Sequence, residues 1–176
     1  MNVRPFLEEV PALGARVWID PAAVVIGRVE IGDDASLWPM AVVRGDVNCI
    51  RIGARTNIQD ASVLHVTHDG PYSPGGMPLL IGNEVTVGHR VMLHACTIGD
   101  HCLLGMSSTI LDGAVLEEEV FLGAGSLVPP GKRLRTRSLY KGSPARRVRA
   151  LSDEELQMLR YSAAHYVRLK DRYLAR

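Results

Sequence analysis

The sequence is poor in aromatic side chains, in paired cysteines and in any excess of charge. Phe, Trp and Tyr together make up 5% of its 176 residues, so a core must come from aliphatic side chains. No run of 18 apolar residues occurs, so no membrane span is predicted. The first residues, Met1 to Glu9, carry acids and a proline in place of the apolar stretch of a signal peptide, and a cytoplasmic location is expected. Cys49, Cys96 and Cys102 are an odd set without a CxxC pair, which argues against a disulfide framework and fits reduced thiols. Lys and Arg number 20 against 19 Asp and Glu, a net charge of +1 that argues against a nucleic-acid partner. What is abundant is turn material, 17 glycines and 10 prolines within a 47% hydrophobic chain. Many short strands are expected, not a helical bundle.

A period of six organises the chain. Every sixth residue from Leu13 is aliphatic (Leu13, Ile19, Val25, Ile31, Leu37, Val43), and so is every sixth from Ile98 to Leu134. Ile52, Ile58 and Leu64, then Ile81, Val87 and Leu93, continue the series once three breaks are allowed. Glycine often follows the aliphatic, as at Gly14, Gly32, Gly53, Gly82 and Gly99, where it would permit a tight corner. The position four after it is small or β-branched, from Val17 and Ala23 through Val47 to Val120 and Ser126. This is the hexapeptide repeat of a parallel β-helix, an all-β solenoid with three strands to each triangular coil. Coils are predicted to begin at Leu13, Ile31, Ile52, Ile81, Ile98 and Leu116.

The breaks are three extra residues near Cys49, about eleven extra between Gly70 and Leu80, and one deletion before Ile98. The Gly- and Pro-rich stretch 69–78 reads as a protruding loop, and a loop that interrupts a regular solenoid is a candidate functional segment. Ser152 and Glu155 form a capping-box pattern that predicts one helix over 153–174. Two segments result: a β-helix domain over 1–150 and a C-terminal helix over 151–176, packed on the prism or on a neighbouring subunit. Trp18 and Trp38 fall on early coils and are candidates for subunit contacts.

The histidines occupy defined places in this frame. His65 follows Leu64 and His94 follows Leu93, so they stack in the third-face column of adjacent coils. Two stacked imidazoles can share one tetrahedral metal ion. His89 stands two residues after Val87 on the second face, above Asp60, which stands two after Ile58. It is not expected to reach the same ion within one chain. In a threefold assembly the second face of one prism can meet the third face of another, which would complete a three-histidine site with a fourth position open.

The stretches Arg44-Gly-Asp46, Ile52 to Asp60, Val63-Leu-His65, Gly88-His89 to His94, Gly123-Ala-Gly-Ser and Tyr140 to Ala145 resemble γ-class carbonic anhydrases. The similarity is greatest to their small bacterial hexapeptide-repeat branch and runs from about Arg4 to Tyr173. The resemblance implies a left-handed β-helix and a homotrimer with zinc at each interface, ferrous iron being the alternative metal. It implies His65 and His94 as ligands from one subunit and His89 from its neighbour. It also implies hydration of carbon dioxide to bicarbonate by a zinc-bound hydroxide, since zinc brings the pKa of water to roughly 7. Gln59 matches the residue that bonds the reacting oxygen, and Arg44, Asp46 and Asp60 match residues that pair across the interface and orient ligands. Tyr166 resembles a tyrosine near the site. Val47 stands where the archetype has a glutamate, and Thr67, His68 and Asp69 replace a long acidic loop. His68 is the candidate proton shuttle.

Two other readings share these residues. A hexapeptide-repeat acyltransferase or thioesterase would use one histidine as base, with a CoA thioester along the coils and Pro129-Pro-Gly near its phosphates. A non-catalytic metal-binding scaffold would use the basic run Lys132 to Arg149 for an acidic partner.

Overall fold

A computed structural model describes residues 2–175; Met1 and Arg176, the outer ends of the two predicted segments, lie outside the described residues. The chain forms a left-handed parallel β-helix closed by one C-terminal helix. Backbone pairing stacks the aliphatic columns in register. One column runs Leu13, Ile31, Ile52, Ile81, Ile98, Leu116, Leu134. The second runs Ile19, Leu37, Ile58, Val87, Leu104, Leu122, and ends in Tyr140. The third runs Val3, Val25, Val43, Leu64, Leu93, Ile110, Val128. All but the outermost members are buried, and together they are the core.

The predicted coil starts and breaks are where the period placed them. Between strands Val24–Ile31 and Val42–Ile52 the register shifts after Gly27, which accommodates the extra residues near Cys49. That shift lifts Val47 out of the repeat; it is exposed, and Ile50 fills the inward place opposite Val29. The loop leaves after Thr67 and returns at Met77 through a two-way backbone bridge. The glycines avoid a Cβ clash, as expected, but do not themselves carry the left-handed backbone of the corner. Backbone with φ of 54 to 60° falls two residues later, on Asp34, Arg55, Glu84 and His101. Gly32, Gly53, Gly82 and Gly99 are needed because the next coil passes within 2.2 to 2.6 Å of where a Cβ would sit.

Helix α1 spans Asp153–Leu174, with Ser152 as N-cap and a complete capping box with Glu155. It lies along the second face. Thr86 Oγ1 meets Ser162 Oγ at 3.0 Å, Arg160 reaches Glu119 at 2.5 Å, and Lys170 reaches Asp34 at 2.7 Å. Trp18 and Trp38 are buried within the chain. They stack on each other and on Tyr173 and Tyr166 of α1, with ring centroids 4.6 to 5.5 Å apart. A helix cannot bury its apolar stripe alone, and these indoles supply its seat. No described helix is long and apolar enough to cross a membrane.

Candidate metal centre

The third-face strands Val63–His65 and Met92–His94 pair in register, so His94 sits directly over His65. Inward Leu64 and Leu93 anchor each strand, which turns the next side chain outward at the corner. His65 Nδ1 and His94 Nε2 are 3.2 Å apart. Behind each ring stands a carboxylate: Asp46 Oδ1 lies 3.0 Å from His65 Nε2, and Asp112 Oδ1 lies 2.6 Å from His94 Nδ1. Arg44 donates to Asp46 at 2.5 Å, and Thr67 donates its hydroxyl to the other oxygen of Asp112. The result is a continuous string, Arg44–Asp46–His65–His94–Asp112–Thr67.

Proton counting shows what this string is suited to hold. Burial alone would raise Asp46 and Asp112, but bonds from Arg44 and His65, and from Thr67 and His94, outweigh it and keep both below the ordinary carboxylate range. Each ionised carboxylate takes the proton of the ring nitrogen facing it. Two neutral imidazoles carry two protons in all, so none remains for the nitrogens that face each other. Burial, and after it the Arg44 charge, lower His65 against the opposing pull of Asp46. With both rings neutral and donating to their carboxylates, the two facing nitrogens, 3.2 Å apart, offer lone pairs to one point. Nitrogens bound at about 2.0–2.1 Å to one tetrahedral ion stand about 3.3 Å apart. The donor set therefore fits a cation such as zinc.

The other site residues lie elsewhere. His89 is on the second-face side, with Nδ1 2.8 Å from Asp60 Oδ2 and 43% of its side chain exposed. Among the described residues of one chain, no group of three or more His, Cys, Asp or Glu gathers around a single metal position. A cavity of about 310 Å³ beside His89 is lined by Gln59, Thr86, Met106, Ser162 and Tyr166. Gln59 is buried and donates to Asn57 Oδ1 at 3.0 Å. Burial, then the charge of Asp60, pushes the Tyr166 phenol up, so it is a proton donor at neutral pH. His68 is exposed at the root of the loop. Half of the basic run is paired with acids within the chain: Arg133 and Arg135 meet Glu117, Arg137 meets Glu119 and Asp153, and Arg149 meets Glu155.

Sequence reasoning missed Asp112 and Thr67. A partial signal was present, since Asp112 stands two residues after Ile110, which pairs with Leu93, one coil beyond His94 and one position past the histidine column.

A model of the bacterial transferase hexapeptide family (six repeats) matches residues 12–45. Protein YrdA of Escherichia coli (strain K12) is 58% identical over 172 residues, covering 98% of this chain and 94% of that protein. A mitochondrial protein of Arabidopsis thaliana, gamma carbonic anhydrase 2, is 41% identical over 96% of this chain. This chain spans 59% of that plant protein's length. The crystal structure of a hexapeptide transferase family protein from Anaplasma phagocytophilum superposes with a TM-score of 0.88, at 39% identity and 97% coverage of both chains.

Proposed function

Because this chain belongs to the hexapeptide-repeat family that includes protein YrdA and γ carbonic anhydrases, we propose that it is a γ-carbonic-anhydrase-like protein that interconverts carbon dioxide and bicarbonate. The observation that carries this reading is the pair of facing ring nitrogens, His65 Nδ1 and His94 Nε2 at 3.2 Å, each ring held from behind by a carboxylate. A single-base acyl transfer has no use for such a pair. In this reading zinc, or ferrous iron on the same nitrogen donors, is held by His65 and His94 of one subunit and His89 of a neighbour in a homotrimer. When bound, the metal supplies a Lewis acid that lets water ionise near neutral pH.

The chain's own residues do the rest. Arg44 and Asp46 fix the His65 ring, and Asp60 fixes His89. Gln59 and Tyr166 line the cavity where the small substrate would bind, and Tyr166 offers its hydroxyl proton as a hydrogen bond. His68, in solvent at the loop root, carries the released proton away. The third face supports self-association. Its outward row is Val24, Val42, Val63, Met92, Thr109 and Leu127, apolar but for one hydroxyl, and α1 covers the second face instead. Stopped-flow hydration of carbon dioxide by protein of known zinc content tests the reading. A rate above buffer that disappears in His89→Ala, with loss of zinc, is expected. A fully zinc-loaded protein with no such rate would overturn hydration in favour of thioester chemistry or a scaffold role.

A further inference from the structure

The hydrogen bonds that brace the two histidines do not end at a ligand. They continue to Asp112 on the next coil and from there to Thr67, the first residue of the loop. Thr67 is unusually well fixed for a loop root. Its amide and carbonyl both pair with Met77, at 3.0 Å each, and Asn48 Nδ2 also donates to its carbonyl at 3.2 Å. Gly76 is packed so closely against the Thr67 carbonyl and the Asn48 amide that a Cβ there would sit 2.6 to 2.7 Å from them. Two breaks in the repeat therefore meet at Thr67: the bulge holding Asn48, which reaches its carbonyl, and the insertion that follows it and returns at Met77. An insertion tolerated at random has no need of such anchoring.

We propose that Asp112, braced by Thr67, is a positioning residue that locks His94 with its Nδ1 proton held and its Nε2 lone pair aimed at the metal, so that the loop root is part of the metal centre. The inference rests on the metal-site reading above but adds residues outside it. Physically, His94 has two tautomers, and only one leaves Nε2 free to ligate. A carboxylate 2.6 Å from Nδ1 selects that tautomer and fixes the ring plane. Without Thr67 the carboxylate itself is free to turn, since the hydroxyl holds the oxygen that does not face the ring.

Zinc affinity of the full chain, measured by competition with a chromophoric chelator, tests this in Asp112→Asn and Thr67→Val, with His94→Ala alongside. Far-UV circular dichroism checks that each variant folds. Asp112→Asn is expected to weaken zinc binding about 10- to 100-fold, and Thr67→Val by a smaller factor. Both are expected to shift the visible absorption bands of the cobalt(II)-saturated protein, which a remote loss of stability would not move. If Asp112→Asn fails to fold, Thr67→Val, which removes one hydroxyl from a part-buried site, carries the test. Unchanged affinity and unchanged cobalt bands in the folded variants, with binding lost in His94→Ala, would overturn the role of Asp112 and Thr67 alone. Wild-type affinity in His94→Ala would overturn the metal-site reading itself.

Discussion

Gly53 shows how little room one residue has in a coil with so short a repeat. A Cβ added there would meet the Gly82 carbonyl carbon and oxygen at 2.4 Å, and both are backbone atoms of the next coil. Neither can swing aside as a side chain would, so the coils would have to part. Gly53→Ala is therefore expected to destabilise the protein by about 1–3 kcal/mol, the usual range for overpacking. Urea unfolding monitored by circular dichroism measures it, and an unchanged midpoint would refute the close-approach argument. The corner residues two places on solve a different problem. Arg16, Asp34, Arg55, Glu84, His101, Glu119 and Arg137 all adopt positive φ and line one edge of the prism. Arg16 pairs with Asp34, Arg55 with Glu84, and Arg137 with Glu119, so like charges avoid lying next to one another. Each exposed pair adds little by itself, and the alternation chiefly lets charged residues stack at short spacing.

At the scale of the element, α1 depends on its two ends. Lys170, fully buried, bonds Asp34 at 2.7 Å and Asp171 at 2.6 Å near the C-terminus. At the N-terminus Glu155 accepts both Arg149 nitrogens and the Ser152 amide. Those contacts, Arg149 first and the Ser152 backbone second, lower the Glu155 carboxyl to about 2. A carboxyl depressed in the folded state stabilises that state above its ordinary value, and the contribution fades as pH falls towards about 2. The thermal midpoint of the wild type is expected to drop between about pH 4.5 and pH 2 more steeply than that of Glu155→Gln. Parallel melting curves for the two proteins would contradict this role of the cap.

The helix was legible because capping chemistry is local: Ser152 and Glu155 are three residues apart in the chain as in the structure. The aliphatic columns were legible because a six-residue period converts sequence spacing directly into stacking. His65 over His94 followed from the same rule. The intrachain partners of Trp18 and Trp38 were not legible, since Tyr166 and Tyr173 come from a helix more than a hundred residues away with no fixed phase to the coils. Thr67 was invisible for a related reason. The insertion after it breaks the period, and only the backbone bridge to Met77 shows where its hydroxyl points.

For the whole molecule, the second and third faces divide the work. The second face is satisfied within the chain, its Trp rings and Thr86 lying beneath α1. The third face carries the histidine pair and, beside it, the outward apolar row, with Met92 36% exposed. Among the described residues His89 has its carboxylate partner but no second histidine beside it, whereas His65 and His94 have each other but no third. The two half-sites are complementary, and a neighbour's second-face edge against this third face would join them. Met92→Glu tests that joining without touching a ligand. The side chain points outward, so the prism should fold with unchanged circular dichroism, while a carboxylate would face apolar surface across the contact. Sedimentation is expected to show monomer in place of the proposed trimer, together with a loss of at least tenfold in zinc affinity. A new negative charge near His94 would by itself attract a cation, so weaker binding can only reflect the missing neighbour ligand. A monomer that kept wild-type zinc affinity would mean that one chain holds the metal unaided.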